Sequence, residues 1–182
     1  METTTRTHMD DIHSLDLERQ NQAFQYLMRS TEDPVPWAYD IWDELVEGLS
    51  HKDNHVRAIS AQVLANLAKS DPEKRMLRDF NRLLAVTRDE RFVTARHCLQ
   101  SLWKVGAAGP EQRRRLVDGL ETRYRECINE KNCTLIRYDI IEAMRNVYDA
   151  TGDERVKEKA LAWIELEKDP KYRSKYAGVW RR

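Results

Sequence analysis

Residues 53–67 read Asp53-Asn54-His55-Val56-Arg57-Ala58-Ile59-Ser60-Ala61-Gln62-Val63-Leu64-Ala65-Asn66-Leu67. Val56, Ser60, Val63, Leu64 and Leu67 recur at the three- and four-residue intervals that line up side chains on one face of an α-helix. The same pattern returns further on, where Ile136, Arg137, Ile140, Ala143, Met144 and Val147 take the places of Val56, Arg57, Ser60, Val63, Leu64 and Leu67 without a gap. A third, degenerate copy lies between them, with Ala95, Cys98, Leu99 and Leu102 in the apolar places. Phe92 occupies the position of the arginine there, and Asp89 stands one residue nearer to the helix body than Asp53 does. Repetition of one helix with intervening segments of helical pattern predicts an array of helix pairs.

The motif Asp53-x-x-Val56-Arg57-x-x-Ser60-x-x-Val63-Leu64-x-x-Leu67 resembles the second helix of a HEAT repeat. The spacing of about 35 to 45 residues between copies matches HEAT and armadillo arrays. The resemblance covers about residues 36–168 and implies an all-α fold: an α-α superhelix of three to four HEAT-like helix pairs with N-terminal and C-terminal capping helices. His51 stands where many HEAT turns carry Asp, and the third copy lacks a counterpart of Asp53. An unbroken Asp–Arg ladder between repeats is therefore not expected.

Composition agrees with long, solvent-backed helices, since 34% of the 182 residues are charged and only six are glycine. The prolines Pro34, Pro36, Pro72, Pro110 and Pro170 fall at expected helix starts or the breaks before them, where a missing N–H is tolerated. Helix pairs are expected at about 36–49 with 53–69, 72–86 with 89–105, 110–128 with 132–149, and 153–167 with 170–180. A helix over about 14–30, with Leu17, Phe24, Leu27 and Met28 inward, serves as the N-terminal cap. Residues 1–11 are polar and are expected to form a disordered tail, leaving 12–182 as a single domain.

Cys98, Cys127 and Cys133 are odd in number, which suits a reduced, cytoplasmic chain. The polar start reads as neither signal peptide nor anchor, and no apolar run approaches the roughly 18 residues of a membrane span. The net charge of zero conceals an asymmetry of −8 over residues 1–56, +6 over 57–128 and +2 thereafter. Such a distribution steers charged partners.

Motifs for chemistry are few. His51 and His55 are four apart but lie in an expected turn without a third ligand, and Cys127 and Cys133 have no second cysteine pair. No HExxH, GxSxG, GxGxxG or P-loop occurs, so no metal, cofactor or catalytic residue is assigned and the chain is not expected to be an enzyme. Asp139 and Glu142 are ordinary helix-surface carboxylates at this spacing.

Second helices of HEAT pairs line the inner face of the superhelix, so the resemblance implies a binding surface there. Subtracting core positions leaves Ala58, Gln62, Ala65, Asn66 and Lys69 on the first such helix. The next two offer Arg96, His97, Gln100, Trp103 and Lys104, then Tyr138, Glu142, Arg145 and Tyr148. Arginine among aromatics is the composition of interface hot spots. Arg96, His97, Gln100, Trp103, Tyr138, Glu142 and Arg145 are accordingly the expected partner-binding residues of a non-catalytic protein-interaction scaffold. The alternative is nucleic-acid binding or base repair, because some HEAT-like alkylation-repair proteins cradle DNA; Lys69, Arg96, Lys104 and Arg145 would then meet phosphates. A bilin-lyase-like role rests on fold analogy alone. Tyr172, Tyr176 and Trp180 form an aromatic stripe among Lys171, Arg173, Lys175 and Arg181, either capping the last repeat or mediating homo-oligomerisation.

Overall fold

The computed structural model describes residues 3–181, all of whose regular structure is helical. The α-helices run α1 Thr3–Asp11, α2 Leu17–Ser30, α3 Ala38–Gly48, α4 Asn54–Leu67, α5 Arg75–Ala85, α6 Phe92–Ser101, α7 Trp103–Ala108, α8 Pro110–Glu126, α9 Cys133–Thr151, α10 Glu154–Glu165 and α11 Pro170–Val179. Single 3₁₀ turns tighten the ends of α4, α5 and α8. Among the described residues, no helix is long and apolar enough to cross a membrane.

The chain divides into two compact units, Met1–Ser101 and Leu102–Arg182. The division falls within the expected helix 89–105, which breaks at Leu102 into α6 and α7. In the first unit α1 packs on α2, α2 on α4, and α4 on both α3 and α6. In the second, α9 is central and meets α7, α8, α10 and α11. Leu64, Leu99 and Met144, equivalent in the three copies, are all fully buried.

Local chemistry sets the boundaries. The carboxylates of Asp16, Asp53, Asp153 and Asp169 accept from backbone N–H groups at the starts of α2, α4, α10 and α11. Pro110 and Pro170 open α8 and α11. Pro72 does not open α5, which begins three residues later, after Lys74 in the left-handed region at φ 56°. Asp71 still reaches forward to cap it, accepting from the N–H groups of Arg75 and Met76 at 2.8 and 2.7 Å. Gly152, at φ 66°, supplies the left-handed residue that ends α9.

Several expectations need correction. Residues 3–11 are helical, not disordered; Met1 and Glu2, the rest of the expected tail, lie outside the described residues. Met9 and Ile12 are buried, the His8 ring stacks on Tyr26 at 4.1 Å, and Arg6 grips Glu44 with two hydrogen bonds of 2.7 and 2.9 Å. A single methionine among threonines gives little sequence signal, yet these contacts bind the segment. Leu17, expected inward, is 63% exposed. Ala58, Ala65 and Asn66, expected on a binding surface, are buried. The Asn66 Nδ2 donates to the carbonyls of Met28 and Thr31 and to Thr31 Oγ1, so it fastens the end of α2. Gly106, one residue past the expected helix end, lies buried in α7.

Arg57 and Arg137 form forward links, though not an unbroken Asp–Arg ladder. Arg57 Nε and Nη2 donate to Asp89 at 2.5 and 2.8 Å, and its Nη1 donates to the carbonyls of His51 and Lys52. Arg137, its counterpart in the second unit, donates to Glu167 at 2.8 Å and to the carbonyl of Tyr124. The one-residue displacement of Asp89 is absorbed by the reach of the arginine. Burial of Asp89 opposes its ionisation, but the Arg57 guanidinium and the Arg91 N–H outweigh it and hold the carboxyl below its usual range.

Candidate functional site

α2, α4 and α6 pack so that the N-terminal part of α2 and the first turns of α4 and α6 bound an open groove of about 740 Å³ within the first unit. Phe24, Ala58, Ile59 and Phe92 supply its apolar surface. Leu17 and Val93, also lining it, are 63% and 65% exposed. Amides from Gln20, Asn21, Asn54 and Gln62 are interspersed, and the ionisable side chains along it are His55, Arg91 and His97. None of the described residues lining it is a carboxylate. Chemically, this is a trough that can bury apolar side chains, hydrogen-bond to a backbone and attract negative charge.

The expected site residues separate by unit. Arg96, His97 and Gln100 belong to α6, and His97 lines the groove. Gln100 is exposed and Arg96 half-buried. Trp103, Tyr138, Glu142 and Arg145 belong to the second unit. Trp103 is half-buried at the start of α7 with Lys104 Nζ 6.0 Å from its ring centre. The other three come together on α9, where they meet α11. Tyr138 Oη donates to Glu142 at 2.8 Å, and Lys175 lies 4.8 Å over the Tyr138 ring. Arg145 donates to Asp149 at 2.7 Å and sits 5.5 Å from the Trp180 ring centre. Trp180 also faces Tyr148 at 5.6 Å. Glu142, Arg145 and Asp149 border a depression of about 190 Å³ with Asn146 and Val179.

The aromatic stripe of α11 packs within the chain. Tyr176 is fully buried and its hydroxyl donates to the Thr134 carbonyl at 2.9 Å; burial drives its phenol well above the usual range. Tyr172 remains half-buried. His51 and His55 do not pair as ligands: His51 Nδ1 accepts from the Asp53 N–H at 3.1 Å, while His55 is exposed. Among the described residues, no group of three or more His, Cys, Asp or Glu side chains converges as metal ligands would.

Leu17, Asn21, Phe24, His55, Arg91 and Val93 were not anticipated at a site. Leu17 and Phe24 were assigned to the core of a cap, and position along the chain does not reveal that α2 stands beside α6's start. Val93 did carry a signal, being an apolar residue outside the Ala95-Cys98-Leu99-Leu102 stripe.

No family model matches the sequence, and no curated protein does. Similar solved structures include three crystal structures titled as engineered proteins from the Northeast Structural Genomics Consortium. One aligns with TM-score 0.53 at 19% identity, over 90% of this chain and 47% of its own, so the present chain spans about half its length. A second gives TM-score 0.51 at 17% identity over 98% and 95% of the two chains. A third gives 0.54 at 16% identity over 98% and 97%. At these identities the similarity is one of fold: the chain has an all-helical architecture like that of engineered proteins.

Proposed function

We propose that the chain is a short HEAT-type helical array acting without catalysis as a protein-interaction scaffold, and that the α2–α4–α6 groove holds a segment of a partner protein. The observation that carries this reading is the groove itself, an apolar trough with Leu17 and Val93 left exposed beside it and only basic or titratable side chains among its charges. Exposed apolar residues gathered in a concavity mark interaction sites more often than scattered ones do. The complementary ligand is an acidic, amphipathic segment whose leucine or aromatic side chains enter between Phe24 and Phe92 while its carboxylates face Arg91. A cytoplasmic setting belongs to the same reading.

Selection from a displayed peptide library on the intact protein tests it. Enriched sequences should combine Asp or Glu with large apolar residues, and their binding should fall at least tenfold in Val93→Asp and in Arg91→Glu while persisting in Arg114→Glu on α8. Failure to enrich, or binding indifferent to the groove substitutions, overturns the proposal. Nucleic acid is the less favoured partner. Of the four cations that would meet phosphates, Arg145 is held by Asp149 and Lys69 by the Glu32 carbonyl. Salt-sensitive retardation of duplex DNA, lost in Arg96→Glu, would reverse that preference. Homo-oligomerisation through α11 is less favoured too, because Tyr176 and Trp180 meet α9 of their own chain.

A further inference from the structure

We propose that Cys127 and Cys133 form a reversible dithiol–disulfide site that reacts with peroxides. The two sulfurs lie 2.9 Å apart across the turn joining α8 to α9. Disulfide bonds measure about 2.05 Å, so closure calls for an approach of about 0.9 Å. That turn is held in shape independently of the thiols. Arg123, almost wholly buried, binds Glu130 through two hydrogen bonds, and Arg137 donates to the Tyr124 carbonyl, which the Cys127 sulfur also approaches at 3.4 Å. Burial pushes the Cys127 thiol up to about 12, which the nearby Arg137 guanidinium offsets only in part, so Cys127 keeps its proton and suits the resolving role. Cys98, in contrast, is fully buried in the other unit and faces the Leu83 carbonyl.

Accessibility divides the roles. Cys133 is half-buried and reaches solvent, whereas Cys127 is fully buried against it. The Cys133 thiolate attacks one peroxide oxygen; the O–O bond breaks, leaving a sulfenic acid on Cys133 and a hydroxide that takes up a proton to become water. Cys127 sulfur then attacks Cys133 sulfur, the S–O bond breaks, and the departing hydroxide leaves as water with the proton of the Cys127 thiol. Two thiols and one peroxide give one disulfide and two waters, with two electrons passing to the peroxide. A small thiol reductant reverses the bond by exchange. Because Arg137 lies one turn into α9 from Cys133 and grips Glu167 beyond α10, the state of the pair bears on a link between successive helix pairs.

Trypsin cuts after Arg125, Lys131 and Arg137, so the bond would join peptides 126–131 and 132–137. The reduced full-length protein is treated with a small excess of hydrogen peroxide, alkylated and digested. The expected major product is this linked pair, two hydrogens lighter than the sum of its parts, which reduction separates, while Cys98 is alkylated only after denaturation. In Cys127→Ser, a sulfenic acid on Cys133 should persist long enough for dimedone to trap it. The inference is overturned if the wild-type protein accumulates sulfenic or higher acids at Cys133 without the linked peptides, if the link joins two copies, or if Cys98 oxidises as fast. It fails equally if all three thiols remain reduced while free cysteine in the same solution is consumed.

Discussion

Ser60 occupies a position that its counterparts fill with Ala95 and Ile140, and its buried hydroxyl lacks a hydrogen-bond partner. A desolvated, unsatisfied hydroxyl contributes nothing in return for its lost hydration. Ser60→Ala should therefore leave stability unchanged or raise it by up to about 1 kcal/mol, measured by urea unfolding. Asp89→Ala should do the opposite. It strips Arg57 of two charge-assisted hydrogen bonds in a site where the Arg57 and Asp89 side chains are 12% and 4% exposed, and the expected loss is about 3 kcal/mol. The sequence made the equivalence of Arg57 and Arg137 visible but hid their acceptors. Glu167 lies outside the motif, and Asp89 looked out of step by one residue, because a flexible side chain tolerates an offset that a packed apolar residue would not. Asn66 was misread for a related reason: polarity suggests exposure, but its amide meets carbonyls released at the end of another helix.

Helix identity was readable because apolar periodicity is local, whereas helix neighbours were only partly so. The expected pairs 36–49 with 53–69, 110–128 with 132–149 and 153–167 with 170–180 are seen as α3 on α4, α8 on α9 and α10 on α11, whereas the break at Leu102 went unseen because its apolar side chain continues the stripe. Gly106 shows what close packing requires. A methyl group added there would stand 2.7 Å from Leu116 Cδ2 and 2.9 Å from Val147 Cγ2, the latter on a side chain with little rotameric freedom. Gly106→Ala gains about 1 kcal/mol of helix propensity. Overpacking costs about 1–3 kcal/mol, so the net effect should be destabilising, visible as a lower thermal midpoint. α11 offers a coarser test. Removal of residues 170–182 uncovers the α9 face met by Tyr176 and Trp180, and thermal unfolding should begin several degrees lower. An unchanged midpoint would show that α11 is dispensable to the fold. The groove was the least legible feature, since its existence depends on where α2 lies beside α4 and α6, information absent from any one helix.

Across the molecule, acid should be the most damaging change of conditions. Asp79 and Asp89 are buried, which opposes ionisation, but Arg78 with the Trp42 N–H, and Arg57 with the Arg91 N–H, depress their carboxyl pKa values. Asp153 beside Arg155, and Glu121 beside Lys159 and Arg125, are lowered as well. A depressed folded-state pKa contributes stability fully present above the unfolded value, near 4, and lost as pH falls through the folded value. Urea midpoints should therefore hold from pH 7 to about 5 and drop below about 4. Asp89→Asn should begin weaker yet decline less over the same interval. The forward reach of Arg57 and Arg137 has a further consequence for construction. Each gives the chain a polarity, since the donor sits on one module and the acid arrives 32 or 30 residues later. Shuffled, duplicated or grafted modules would join properly only when the downstream piece brings a carboxylate at that offset, making the order of parts an encoded property rather than an interchangeable one.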